Sequence, residues 1–114
     1  MPRFRIFCGD EVALGPGKVE LLRAIADTGS IRKAALRAKM SYMRAWSLIR
    51  TMNQCFKEPL VQANRGGLNQ GAFLTDLGRT ALDLYEKLEA ETKAVTAPFE
   101  RDFKKLLKRR PSSK

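Results

Sequence analysis

Side chains that could contact a nucleic acid are concentrated in the middle of the chain. Arg can make two parallel hydrogen bonds to guanine, worth about 1 to 3 kcal/mol of discrimination, and basic and hydroxyl groups also bind phosphate oxygens. The predicted chemistry is therefore recognition of DNA by hydrogen bonding and charge. The residues assigned to it form two groups, Ser30, Arg32 and Lys33, then Ser41, Tyr42, Arg44, Ser47 and Arg50.

Each of these side chains has an ordinary alternative. Arg44 and Arg50 could be solvated charges or contact only phosphates, because phosphate contacts outnumber base contacts. Tyr42 is ambiguous, since its ring could be buried while its hydroxyl reaches a phosphate. The sequence alone leaves these alternatives open.

The charge of the chain is strongly positive and unevenly distributed. The 114 residues include 22 Lys and Arg against 12 Asp and Glu, a net charge of +10. Residues 30–66 hold eight basic residues and one acid, whereas residues 76–100 hold six acids and three bases. This pattern is typical of nucleic-acid binding, although a solvated basic surface is the alternative. A chain of this length predicts one core.

Several classes of protein are disfavoured. The chain has no histidine and only two cysteines, Cys8 and Cys55, so we expect no metal, no cofactor and no disulfide framework. No nucleophile with a neighbouring base is recognisable, so an enzyme is not predicted. No apolar run approaches the roughly 20 residues that span a bilayer. We expect a reduced, cytoplasmic protein without membrane contact.

One glycine-rich motif could be mistaken for a nucleotide site. Gly15-Pro16-Gly17-Lys18 resembles the end of a phosphate-binding loop. That loop also requires glycine where this chain has Val12, and Ser or Thr where it has Val19. We interpret the motif as a turn that opens a helix of residues 17–28.

Two serines predict two helix starts in quick succession. Ser30 follows Gly29 and precedes IRKAALRA, and Ser41 precedes YMRAWSLIRTMNQCF. Only residues 38–40 separate these helices, and the small Ala34 and Ala35 would let them cross closely, as in a helix-turn-helix. In the second helix, residues 41–56, the predicted outward set is Ser41, Arg44, Ser47 and Thr51, flanked by Met43 and Arg50. The predicted inward set is Tyr42, Ala45, Ile49, Met52 and Phe56, with Trp46 beside it.

A glycine-rich hairpin is predicted directly after this pair of helices. Residues 60–63 and 72–74 read as strands, joined by a tip at 64–71. Glycine would let the backbone of such a wing approach DNA closely. A flexible hairpin without a ligand is the alternative. The tip residues assigned to DNA are Arg65, Gly66, Gly67, Asn69 and Gln70.

The two ends of the chain are predicted to be a strand and a long helix. Residues 3–8 alternate basic with apolar, so we expect a half-buried strand with Phe4, Ile6 and Cys8 inward. Thr75 should cap a helix that runs to about Ala97 and outreaches the core, so that the overhang pairs with a second copy. Pro98 predicts a kink or break. We therefore divide the chain into residues 1–97, the main domain, and 98–114, a helical extension with a basic tail from 104.

The stretches AIADTGSIRKAALRAKMSYMRAWSLIRTMN and EPLVQANRGGLNQGAFLTDLGRTALDLY resemble the N-terminal DNA-binding domain of the ModE molybdate-responsive regulators, and more distantly the LysR-type winged helix. The resemblance covers residues 12–91. It implies a homodimer on a palindromic operator, with residues 41–46 in the major groove and the wing on an adjacent groove or the backbone. It also implies a dimer built through the first strand and the last helix. The residues assigned to the interface are Phe4, Ile6, Leu84, Tyr85, Leu88, Val95 and Phe99.

Three departures from that family qualify the resemblance. Lys39 stands where the family usually has glycine, so either the turn differs or lysine adopts a strained conformation. Met43 occupies a position that is often basic. The chain ends at Lys114, without the family's molybdate-binding domains, so we expect no molybdate binding by this chain.

The prediction is thus a mainly α winged helix-turn-helix with a small β component, acting as a homodimeric transcription regulator on double-stranded DNA. The alternative is a dimerisation module that modulates a full-length regulator through mixed dimers.

Overall fold

Four helices and two small hairpins make up the part of the chain that the computed structural model describes, residues 3–64 and 71–112. The elements in chain order are β1 (Ile6–Cys8), β2 (Glu11–Leu14), α1 (Pro16–Thr28), α2 (Ile31–Arg37), α3 (Tyr42–Cys55), β3 (Val61–Asn64), β4 (Gly71–Leu74) and α4 (Asp76–Leu106). This order confirms the predicted mainly α fold with a small β component.

The core lies where α1 meets α2 and α3. Leu21, Leu22 and Ile25 of α1 are completely buried, and α2 contributes the small buried pair Ala34 and Ala35. Removing a Leu or Ile side chain from water is worth about 1.5 to 3 kcal/mol, so these contacts fix the crossing of the helices. The close approach predicted from the two alanines is confirmed.

Hydrogen bonds at the ends of α1 and α2 define the joints between the helices. Gly29 has a φ of 67° and its N–H donates to the Ile25 carbonyl. The Ser30 and Ser41 hydroxyl oxygens accept from the N–H groups of Lys33 and Arg44, at 3.1 and 3.0 Å. Both predicted serine caps are therefore confirmed.

Lys39 forms the turn between α2 and α3 in a left-handed conformation, with a φ of 57°. Its N–H donates to the Leu36 carbonyl at 3.1 Å, and the Met40 N–H donates to the Ala35 carbonyl at 3.0 Å. These two bonds are the pattern with which glycine usually ends a helix. Of the two alternatives, the turn is therefore kept and the lysine is strained.

Replacing Lys39 with glycine should stabilise the protein by about 1 kcal/mol, because a Cβ in the left-handed region costs roughly 1 to 2 kcal/mol and the flexibility of unfolded glycine offsets part of the gain. Urea unfolding would measure the change. The control is Lys39→Ala, which removes the charge but keeps the Cβ. Equal stability of the two variants would contradict a strained turn.

The second hairpin is attached to the joint between α1 and α2. Its strands pair antiparallel, with Val61 opposite Leu74 and Asn64 opposite Gly71. The Ala72 N–H donates to the Gly29 carbonyl at 3.0 Å, and a Cβ on Gly71 would lie 3.1 Å from the same oxygen. The base of the wing is thereby held beside the helix-turn-helix. The predicted tip residues Arg65, Gly66, Gly67, Asn69 and Gln70 lie outside the described residues.

The last helix is longer than predicted, because α4 continues through Pro98 to Leu106. The predicted end at Ala97 and the separate terminal helix are therefore wrong. Proline removes one hydrogen bond and costs about 3 kcal/mol within a helix, but its φ is helical and good helix formers such as Ala94 and Ala97 precede it. The domain boundary at 97 stays a prediction. Within the described ranges, no helix has the length and apolar character needed to cross a membrane.

The N-terminal hairpin is held to the core at Phe4. Phe4 packs against the buried cluster, and its carbonyl accepts a hydrogen bond of 2.7 Å from the Tyr85 hydroxyl. Ile6 and Cys8 are exposed, so their predicted burial is wrong: β1 pairs only with β2, at the edge of the molecule. Both cysteines are free thiols, and burial, with a smaller contribution from the nearby Cys8, raises the pKa of Cys55.

Candidate nucleic-acid interface

The exposed face of α3 is the centre of the candidate interface. Ala45, Ile49 and Met52 point into the core. Because successive helical residues are about 100° apart, the side facing directly away carries Met43, Ser47, Arg50 and Gln54. Met43 is 79% exposed. The outward set therefore centres on Met43, Ser47 and Arg50, while Arg44 and Thr51 lie on one flank, and Gln54 was missed.

Tyr42 is the one clear error in the predicted inward set. It is 42% exposed, the Arg32 guanidinium carbon lies 4.8 Å from the centre of its ring, and its ring meets Trp46 edge to face at 6.3 Å. At the first position of α3, Tyr42 lies beyond the edge of the core and faces α2. Trp46 is half-buried against the core, as predicted. The tyrosine thus holds Arg32 in place, an interaction worth about 0.5 to 1 kcal/mol when exposed.

Beside these aromatic rings is a depression of about 200 Å³, which we call the wing-side depression. It joins the start of α2, the start of α3 and the base of the wing. Four predicted DNA contacts, Ser30, Arg32, Lys33 and Tyr42, are brought together here. The lining residues are Ser30, Ile31, Arg32, Lys33, Tyr42, Trp46, Ala63, Asn64 and Gly71, none of them acidic.

A second depression, about 210 Å³, borders the other flank of α3, and we call it the amino-terminal depression. Arg44 faces it, together with three basic residues from before α3: Arg3, Arg5 and Lys18. Sequence reasoning had placed Arg3 and Arg5 on the polar face of a strand without a role. No local pattern links them to Arg44; only the fold brings them together.

Acids neutralise basic residues on another side of the molecule. Arg23 of α1 bonds Glu86 at 2.6 Å and Glu89 at 2.8 Å, and the hydrogen bond to Glu86 is the main cause of its raised pKa. Arg37 pairs with Asp27 at 3.3 Å. Arg44 and Arg50 take part in none of the ion pairs formed within residues 3–64 and 71–112. The uncompensated positive charge therefore lies on the face that carries α3.

The hydroxyl groups of the predicted site differ in what they can do. The Ser30 and Ser41 oxygens already accept backbone N–H groups, so each has a hydroxyl hydrogen left to donate to a phosphate. Ser47 is exposed on the outer face, and its carbonyl accepts the Thr51 hydroxyl at 3.1 Å. Ser47 is thus the hydroxyl group best placed to reach a base edge.

The residues assigned to a dimer interface fall into two groups. Leu84 and Val95 are 67% and 66% exposed, and Leu88, Phe99 and Ile6 are also exposed. Phe103, Leu106 and Leu107 extend the same apolar surface beyond Phe99. Tyr85 is only 3% exposed and Phe4 packs against the core, so these two lie inside the protomer.

Comparison with known proteins places this geometry in a family. The model for bacterial regulatory helix-turn-helix proteins of the LysR family matches residues 17–79. ArgP from Mycobacterium tuberculosis has a similar fold, with a TM-score of 0.55 at 19% identity over 75% of this chain and 30% of that one.

Curated relatives are more similar in sequence. The transcriptional regulator ModE of Haemophilus influenzae is 42% identical over 77 residues, which cover 67% of this chain and 30% of the relative. The molybdenum transport protein ModE of Azotobacter vinelandii is 44% identical over 80 residues, which cover 69% of this chain and 30% of that protein. The predicted resemblance is confirmed, and this chain spans about 30% of the length of these relatives.

The family match runs from α1 through α3 and the wing to the first turn of α4, more than half of the chain. It includes the exposed face of α3 and the wing-side depression. Proteins of this kind are regulators rather than enzymes, as predicted. The chain belongs to the LysR family of bacterial regulatory helix-turn-helix proteins.

Proposed function

We propose that this chain is a sequence-specific transcription regulator that binds double-stranded DNA as a homodimer in the cytoplasm. The observation that carries the proposal is the exposed face of α3, bordered on both sides by basic depressions. An α-helix fits the major groove of B-DNA, whose two edges are lined with phosphates. With α3 in that groove, the outer face meets base edges and the flanking cations meet the backbone.

Each side chain of the interface then has a distinct role. Met43, Ser47 and Arg50 point toward the bases, and Arg50 is the residue best suited to a bidentate contact with guanine. Arg32, steadied by Tyr42, and Lys33 contact phosphates on the wing side. The wing, whose base is attached to Gly29, lies over an adjacent groove or the backbone.

The homodimer is supported by the apolar side of α4. The helix has 31 residues, yet within the described ranges none of its residues after Tyr85 is buried. At 1.5 Å per residue, about 30 Å of helix therefore extends past the core. An exposed stripe of Leu84, Leu88, Val95 and Phe99 is what a second copy of α4 would cover. Two copies bound to DNA would read two half-sites.

The same stripe supports a second candidate function. If it pairs with α4 of a full-length relative, the chain would act through mixed dimers and its own DNA contacts would matter less. The relatives' greater length makes such partners conceivable. Native mass spectrometry of a mixture with a full-length relative would detect the mixed dimer. The expectation that this chain does not bind molybdate stays a prediction.

Replacing Arg50 with alanine should relax sequence preference more than it weakens overall binding. The protein would first select its site from a random duplex pool. We expect a loss of about 1 to 3 kcal/mol of discrimination at one base pair of that site, because a bidentate guanine contact is removed. Fluorescence anisotropy against all four bases at each position would measure it.

The control for this experiment is Arg101→Ala, an exposed arginine on α4 far from the described interface. It removes the same charge and should leave discrimination unchanged. Selection of no site by the wild-type protein would contradict sequence-specific binding. An Arg50→Ala variant with unchanged discrimination at every position would exclude Arg50 as a base reader.

A further inference from the structure

We propose that Arg3, Arg5, Lys18 and Arg44 form a second phosphate-binding site, which takes a phosphodiester group of the DNA backbone on the side of α3 away from the wing. The inference rests on the proposed DNA binding and deepens it. It assigns a role to the start of the chain, and it makes Arg44 a backbone contact rather than a base reader.

The four cations come from three separate parts of the fold and line one depression. Arg3 and Arg5 precede β1, Lys18 lies in the first turn of α1, and Arg44 is in α3. None of them belongs to an ion pair formed among the described residues. The depression is lined by no acid, so its positive potential is not cancelled locally. A phosphate placed there would meet charges from several directions, as charge-assisted hydrogen bonds require.

Backbone groups add to this positive potential. The first turn of α1 contains no acid, and Gly15, at its N-cap position, offers no side-chain hydrogen bond to it. The dipole of the helix makes this end positive. Glycine at 15 and 17 also keeps the approach to the helix start free of bulky side chains. The motif Gly15-Pro16-Gly17-Lys18 thus lacks the requirements of a nucleotide loop, yet lies where a single phosphate would be bound.

The N-terminal arginines are held in place by the core. Phe4, between them, packs against the buried cluster, and its carbonyl oxygen accepts the hydrogen bond from Tyr85 at 2.7 Å. Arg5 runs along Gly15, where an added Cβ would lie 3.6 Å from the Arg5 Cγ. The two guanidinium groups therefore start from an anchored backbone, so less conformational freedom is lost on binding than for a free tail. Tyr85 is a positioning residue for this site.

The position of the site relative to α3 matches the two edges of a groove. Tyr42 and Trp46 line the wing-side depression, whereas Arg44 and Leu48 line the amino-terminal one. At about 100° per residue, these two pairs project to nearly opposite sides of the helix. A helix lying in the major groove has one DNA strand on each side. The wing-side cations would contact one strand, and the proposed site the other.

The test is the salt dependence of DNA binding by the double variant Arg3→Ala/Arg5→Ala. Each lost phosphate contact should make the slope of log affinity against log salt shallower by about 0.9, so we expect about 1.8 per protomer. The ratio of affinities for the selected site and for a random duplex should stay the same, since phosphate contacts carry no sequence information. Anisotropy with both labelled duplexes would measure these quantities.

The matched control is Lys93→Ala/Arg101→Ala, which removes two exposed charges from α4. A slope change equal to that of this control would overturn the proposed site, as would relaxed specificity in the Arg3→Ala/Arg5→Ala variant. A shallow slope in the wild-type protein would instead contradict the DNA binding itself, so the two failures are distinguishable. Tyr85→Phe keeps all four cations and removes only the anchoring hydrogen bond; it should weaken both duplexes equally, with circular dichroism confirming the fold.

Discussion

Replacing Gly78 with alanine should destabilise the protein by about 3 kcal/mol, at the upper end of the usual cost of overpacking a core. A Cβ at this position would lie 2.1 Å from the Leu60 carbonyl oxygen and 3.0 Å from its carbonyl carbon. Both are backbone atoms, and Leu60 is completely buried. Since this carbonyl also accepts the Thr75 N–H at 2.9 Å, neither side can yield without separating α4 from the start of β3.

The sign of this effect is opposite to that of the same change elsewhere in a helix. Alanine normally stabilises a helix relative to glycine by about 0.5 to 1 kcal/mol. Gly17, in the first turn of α1, has nothing within 4 Å of its Cβ position, so Gly17→Ala is the matched control. Urea unfolding followed by circular dichroism should show the control at least as stable as wild type. A Gly78→Ala protein of wild-type stability would contradict the close packing of α4.

Placing two glutamates in the apolar stripe of α4 should abolish the dimer and weaken operator binding by about a hundredfold or more, the gain that linking two binding units usually provides. The variant is Leu84→Glu/Val95→Glu, at positions 67% and 66% exposed. Because both side chains are exposed in the protomer, the fold itself should be little affected. Sedimentation equilibrium would give the oligomeric state, and anisotropy the affinity for the selected site.

The matched control introduces the same charges on the same helix away from the stripe. Ala90 and Ala94 are exposed, and their helical positions lie more than a right angle from Leu84 and Val95. Ala90→Glu/Ala94→Glu should therefore remain dimeric, with only the modest loss of affinity that added negative charge causes. A Leu84→Glu/Val95→Glu protein that stays dimeric would contradict the proposed interface. A wild-type monomer would contradict homodimerisation through α4.

The parts of the fold that sequence predicted well are determined by short-range interactions. A serine accepting the N–H three residues later depends only on local geometry, and so Ser30 and Ser41 marked the two helix starts correctly. Ala34 and Ala35 likewise predicted the close crossing of α2, because small side chains leave little else that the helix could do. The left-handed Lys39 was foreseen as one of two possibilities from the same reasoning.

The errors arise where a distant contact decides. Tyr42 has the periodicity of a buried residue, but at the end of α3 its neighbour is Arg32 rather than the core. Tyr85 fits the dimer stripe by position, yet its hydroxyl bonds to Phe4, 81 residues away. The continuation of α4 through Pro98 was missed because local rules assign proline to a helix end. The cluster around Arg44 could not be predicted, since its members share no sequence pattern.

The central claim, that α3 and its two flanking depressions bind duplex DNA through charge, is tested most directly by measuring affinity as a function of salt. With contacts from both depressions in each protomer of a dimer, the affinity for a labelled duplex should fall by about a thousandfold or more between about 50 and about 200 mM salt. Affinity that stays level over this range, or no binding at low salt, would contradict the account.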